Sequence, residues 1–206
     1  MRAMTKRALA GAALLGALAA SSAWAQQGQS VRVRGNIEKV DGKTLLVKAR
    51  DGAMLTLMLA DNAQVVGVAK ASLGDIKEGA FIGSGAMPQA DGSQKAVEIH
   101  IFPEALRGTG EGHRPWDLMP NSTMTNATVA QMVKAVEGDE ITLKYKDGEK
   151  KIVVVPNTTI VTYVPADKSE LKPGAKIFIA GANKKDDGTL EAAAVSVGRD
   201  GLTPPM

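Results

Sequence analysis

The chain contains no cysteine. That excludes disulfides, thiolate metal ligands and thiol nucleophiles. Histidine is almost as scarce, with only His100 and His113 in 206 residues. A Ser-His-acid triad would need one of them beside a positioned serine. Neither Ser84 nor Ser122 lies in a Gly-x-Ser-x-Gly elbow. The glycine-rich stretch 108–112 lacks the Lys-Ser/Thr of a phosphate loop and joins no strand to a helix. The 22 acidic residues could in principle supply a carboxylate pair, but most fall in Asp-Gly turns or on polar faces. Aromatics make up 3% of the chain. Its cores must therefore be built from Val, Ile, Leu, Met and Ala, and each will be small. Beyond residue 25, no apolar run approaches the roughly 20 residues that a membrane-spanning helix needs.

The formal charge of +3 has a local origin. Three bases, Arg2, Lys6 and Arg7, precede position 26, and no acid does. Without them the 22 remaining bases equal the 22 acids. The basic start is followed by the uncharged run ALAGAALLGALAA and by Ala23-Trp24-Ala25. A basic front, a short apolar core and a small-x-small site are the parts of a secretory signal peptide. Residues 1–25 are accordingly expected to be cleaved after Ala25, leaving a periplasmic chain with no transmembrane segment. Near-neutral charge, few aromatics and export all argue against nucleic acid as a partner.

The rest of the sequence repeats itself at an offset of 96, with slips of one residue. Ile37–Gly52 reads IEKVDGKTLLVKARDG, and Val133–Gly148 reads VKAVEGDEITLKYKDG. Further along, Asp61–Val66 lies against Pro156–Val161, and Asp75–Gly79 lies against Glu170–Gly174. Finally, Asp91-Gly92 through Ile101 lies against Asp187-Gly188 through Val197. Internal similarity of this length points to duplication. Within each copy Leu45, Val47 and Ala49, or Ile141, Leu143 and Tyr145, alternate with more polar residues. That period of two is the mark of a half-buried strand. Asp-Gly pairs punctuate the runs, as tight hairpin turns require. Short strands with turns every few residues favour a sheet curled closed, which removes free edges.

The unit [VI]-x-x-V-[DE]-G, then [LI]-x-[VL] and D-G, then N-x-x-[VI]-V, [IL]-K-x-G and D-G-[ST]-x-x-A, resembles DUF5666, a bacterial exported domain of unknown function. The resemblance covers residues 31–101 and 129–198. It implies a small oligonucleotide-binding-like β-barrel and no established activity, and it brings no set of functional residues. The expectation is an all-β chain: two small OB-like β-barrels from an internal duplication, 31–101 and 129–198. A long ordered connector, 102–128, joins them, and a tail, 199–206, follows.

The connector holds the unusual residues. It carries Trp116, the lone tryptophan after the leader, and it is longer than most loops of compact domains. Arg107, Arg114 and Trp116 could meet an anionic ligand or a partner. His100, His113, Met119 and Met124 could offer nitrogen and sulfur to Cu or Zn. Their spacing matches no established metal motif. The leading expectation is a non-enzymatic periplasmic binding or structural protein, its partner an unidentified cell-envelope protein or small ligand. A periplasmic Cu/Zn-binding protein using those His and Met residues is the alternative, and an enzyme is the least favoured.

Overall fold

The computed structural model describes residues 30–134 and 138–206. The expected signal peptide, 1–25, lies outside the described residues, as does Val136 of the repeat. The described chain is all β apart from three single 3-10 turns. Its strands are β1 (Ser30–Asp41), β2 (Thr44–Ala49), β3 (Met54–Lys70), β4 (Phe81–Pro88), β5 (Gln94–Ile101) and β6 (Gly112–Pro115). They continue with β7 (Thr123–Val133), β8 (Asp139–Tyr145), β9 (Gly148–Val154), β10 (Thr159–Pro165), β11 (Lys176–Lys184) and β12 (Leu190–Gly198). Among the described residues, no helix is long and apolar enough to cross a membrane.

All twelve strands belong to one sheet, in the order β12-β11-β1-β2-β3-β10-β5-β4-β7-β8-β9, with β6 paired to β7. A parallel ladder between β12 and β3, from Leu190↔Leu57 to Gly198↔Val68, closes the first five strands into a barrel. The alternation read from the sequence builds its interior. Leu45, Val47, Leu57, Ile179, Ala182 and Ala192 are fully buried or nearly so. The other seven strands lie outside that barrel. They bury Ile82, Ile99, Ala127, Leu143 and Ile152 in a second core. Strand β3 joins the two regions, because Val66–Lys70 also pairs with β10.

Two expectations are overturned by this topology. The chain does not form two separate OB-like barrels, and the repeat does not mark out two folding units. The closed barrel takes β1–β3 from the first sequence segment and β11–β12 from the second. Strands β4 and β5 leave their own segment and pair with β7 and β10. The physical cause lies in β3, which runs 17 residues without a break. It carries the chain away from the barrel before β4 begins. The aligned region of the second segment is interrupted at Pro156, which has no N–H to give to a ladder, and it is divided into β9 and β10.

Part of the segment expected as a connector is strand rather than linker. Residues 123–128 belong to β7, and Gly112–Pro115 forms β6 against them. The connector is tied to the barrel by Asp117. Its carboxylate accepts from Arg34 Nη2 at 2.8 Å and Nη1 at 3.3 Å, and it lies 3.5 Å from Arg32 Nη1. The tail packs back in turn. Met206 is buried beside Val68, Val161 and Phe178, with Trp116, Tyr163 and Leu202 around them.

Candidate functional site

Strand β5 presents different residues to its two faces. Its register against β4 slips between Gly85↔Glu98 and Ala86↔Ala96, leaving Val97 as the extra residue of a bulge. Ala96 and Ile99 consequently both enter the second core, while Glu98 and His100 face away from it. Alternation along the strand made this the polar side. The barrel covers it, so the side is not wet: Glu98 is 0% exposed and His100 3%.

Two glycines make room for these side chains. Gly83 stands opposite His100, and Gly85 opposite Glu98. A Cβ at Gly83 would lie 2.1 Å from His100 Nε2, and one at Gly85 would lie 2.6 Å from Glu98 Oε1. Glycine within a strand often signals this kind of close approach. Rings surround His100, with Phe102 at 4.8 Å and Tyr163 at 6.0 Å between centroids.

Among the described residues, neither oxygen of Glu98 has a hydrogen-bond partner, and neither do His100 Nδ1 or Asn126 Oδ1. Burial pushes the Glu98 carboxyl up to about 8, against a smaller opposing pull from Arg34. Burial pushes His100 down to about 3, with a further contribution from Arg114. Both groups are therefore neutral at pH 7. Tyr163 is also raised, by burial and then by the nearby Glu98.

Glu98 borders a cleft of about 760 Å³ between the outer face of β1–β2 and the face formed by β5 and β10. That volume falls in the range of small-molecule sites. Arg34, Lys48 and Arg50 line it from the barrel, and Leu202 and Pro204 line it from the tail. Arg34 is already occupied. It binds Asp117, donates from Nε to the Met206 carbonyl oxygen, and stacks 5.1 Å from the Phe178 ring.

The residues singled out from the sequence fall into three places. His100 and Met124 lie on the cleft side of their strands, level with Gly83 and Gly85 respectively. His113 pairs with Thr125, which stands opposite Ser84 and, through it, Ile99. It therefore lies on the opposite face of the sheet from His100. Its Nδ1 is 2.8 Å from Thr125 Oγ1. Met119 sits exposed in the connector. The four proposed metal donors are thus not brought together, and no group of three His, Asp or Glu able to hold a metal occurs among the described residues. Arg107 is taken up by Glu104, at 2.6 and 2.8 Å, and by the Gly79 carbonyl oxygen at 2.9 Å. Arg114 and Trp116 do meet: the guanidinium lies 5.5 Å from the indole, and that of Arg32 lies 4.1 Å from it.

Sequence reasoning passed over Arg34, Lys48 and Arg50, and Glu98 entered only as one of the acids near His100 and His113 that could join a metal site. The signal available was the Gly83-Ser84-Gly85 alternation, which marks a strand whose neighbours crowd it. No family model, curated protein or solved structure matches the chain. The resemblance to the exported domain rests on the quoted motifs alone.

Proposed function

We propose that this is an exported, non-enzymatic binding protein, and that the cleft between barrel and outer sheet is its ligand site. The reading is carried by one observation, the Glu98 carboxyl, buried beside that cleft with both oxygens unpartnered. A buried polar group left without a partner costs about 1–3 kcal/mol. A ligand atom reaching the carboxyl would recover that cost. The N-terminal basic-apolar-small pattern supports export to a periplasm. Among the described residues neither Glu98 oxygen nor His100 Nδ1 has a hydrogen-bond partner, which supports a group waiting for a ligand over an assembled acid-base pair.

The test is an NMR titration of the chain with a panel of small organic acids, sugars, alcohols and amines. The reading expects at least one compound to move the amides of Arg34, Lys48, Glu98 and Thr159 together, in a saturable way. A panel that leaves all four unmoved would overturn it.

A further inference from the structure

The two walls of the cleft differ in charge, and the difference selects a class of ligand. On the barrel side, Lys48 and Arg50 form no ion pair among the described residues. Arg50 reaches only the Leu118 carbonyl oxygen, at 3.5 Å. The nearest acid of the connector, Asp117, is already committed to Arg32 and Arg34. On the sheet side stands the Glu98 carboxyl, fully buried and without a partner. Between them lie the apolar residues Val97, Leu118, Leu202 and Pro204. Glu38 is the other acid on the lining.

We propose that the cleft takes a small amphipathic acid, its anionic head on Lys48 and Arg50, and that the Glu98 carboxyl, closed off over Gly85 in the free chain, turns toward the cleft to donate a hydrogen bond to a ligand oxygen. The proposal rests on reading the cleft as a ligand site. A cation would meet two unpaired bases and a carboxyl that is protonated at pH 7. An anion meets two compensating charges and a donor. A guanidinium and an ammonium two residues apart, Lys48 near the end of β2 and Arg50 in the turn that follows, suit a carboxylate or a phosphate monoester alike. The apolar stretch between the polar ends calls for a hydrocarbon body.

The experiment titrates the full chain at pH 7 with octanoate, octyl phosphate, octanol and octylamine, by calorimetry and amide NMR. Octanoate, octyl phosphate or both should bind at least tenfold more tightly than the alcohol and the amine. The tighter of the two acids identifies the head group. The double variant Lys48→Gln/Arg50→Gln should lose at least tenfold in affinity for the acid. Raising the pH from 7 to 9 should weaken binding to the natural chain and leave Glu98→Gln unaffected, because the amide remains a donor. Acids binding no better than octanol, or a double variant that binds them undiminished, would overturn the proposal while leaving the cleft a ligand site. Silence from all four probes and from the wider panel would overturn both.

Discussion

Gly83 and His100 occupy one position between them. A methyl group on Gly83 would fall 2.1 Å from the imidazole Nε2 and 2.6 Å from Asn126 Oδ1. The ring cannot simply swing away, because Phe102 and Tyr163 pack against it. Gly83→Ala should therefore cost about 1–3 kcal/mol, the usual penalty for overpacking a filled interior. Urea denaturation measures it. Combining Gly83→Ala with His100→Ala should recover part of the loss relative to His100→Ala alone. Purely additive effects would show that the two residues do not compete for the same space.

Stability should depend on pH through Glu98 and His100. Arg34 and Tyr163 face the same region. The Glu98 carboxyl moves from an ordinary 4.5 up to about 8 on folding. Between those values the folded chain holds a proton that the unfolded chain has released. Stability then falls as pH rises through that window. His100 moves the other way, from 6.5 down to about 3. Its contribution is complete above 6.5 and is lost as pH falls toward 3. The two together give a plateau from about 4.5 to 6.5, with a decline on each side. Chemical denaturation across pH 3–9 should show this shape. Glu98→Gln should abolish the alkaline decline and leave the acidic one. A decline from pH 6.5 to 8 that survives in Glu98→Gln would assign it to other groups.

Asp117 holds the connector to the barrel through Arg34 and Arg32, and Arg34 in turn holds the carboxylate below its usual range. The carboxylate is half exposed, so solvent weakens the pair. Asp117→Ala should cost no more than about 1 kcal/mol of global stability. Its larger effect should be local. The Trp116 indole N–H, buried without a partner, should exchange with solvent faster in the variant. Hydrogen exchange followed at that resonance is the measurement. Unchanged exchange would mean that packing against the tail, rather than the ion pair, fixes the connector.

What the sequence made legible was local. Period-two alternation located Leu45, Val47, Ile141 and Leu143, and all four are fully buried in strands. Asp-Gly turns marked hairpins correctly, as at Gly52 and Gly188, both with positive φ. Strand partnership was not legible. Nothing near Leu57 announces that Leu190, 133 positions later, lies beside it. Pairing over such distances depends on how whole segments pack, and two similar segments leave it ambiguous which β4–β5 hairpin, or its counterpart β11–β12, closes which sheet. The site was hidden for a related reason. Glu98 and His100 alternate with Ile99 and Ile101, a pattern that ordinarily means a solvated face. Only the barrel packed against that face turns it into an interior.

The exchanged pairing makes a prediction about the chain's integrity. A piece comprising 31–101 carries β1 to β5 and would be a complete domain if each sequence segment folded alone. In this structure β1 loses β11 and β3 loses β12 in such a piece. The barrel core would lose Ile177, Ile179, Ala182, Ala192 and Val195. Its β4–β5 hairpin would lose β7 and β10. Open edges and a halved core leave too little burial to offset chain entropy. The 31–101 piece should be unfolded or aggregated by circular dichroism and NMR. The intact chain should unfold in one transition, because the two cores share β3 and its neighbours. Leu57→Ala in the first core and Leu143→Ala in the second should each lower that same transition, by about 2–5 kcal/mol. A dispersed spectrum and cooperative melting from 31–101 alone, or two transitions moved separately by the two substitutions, would restore independent folding units.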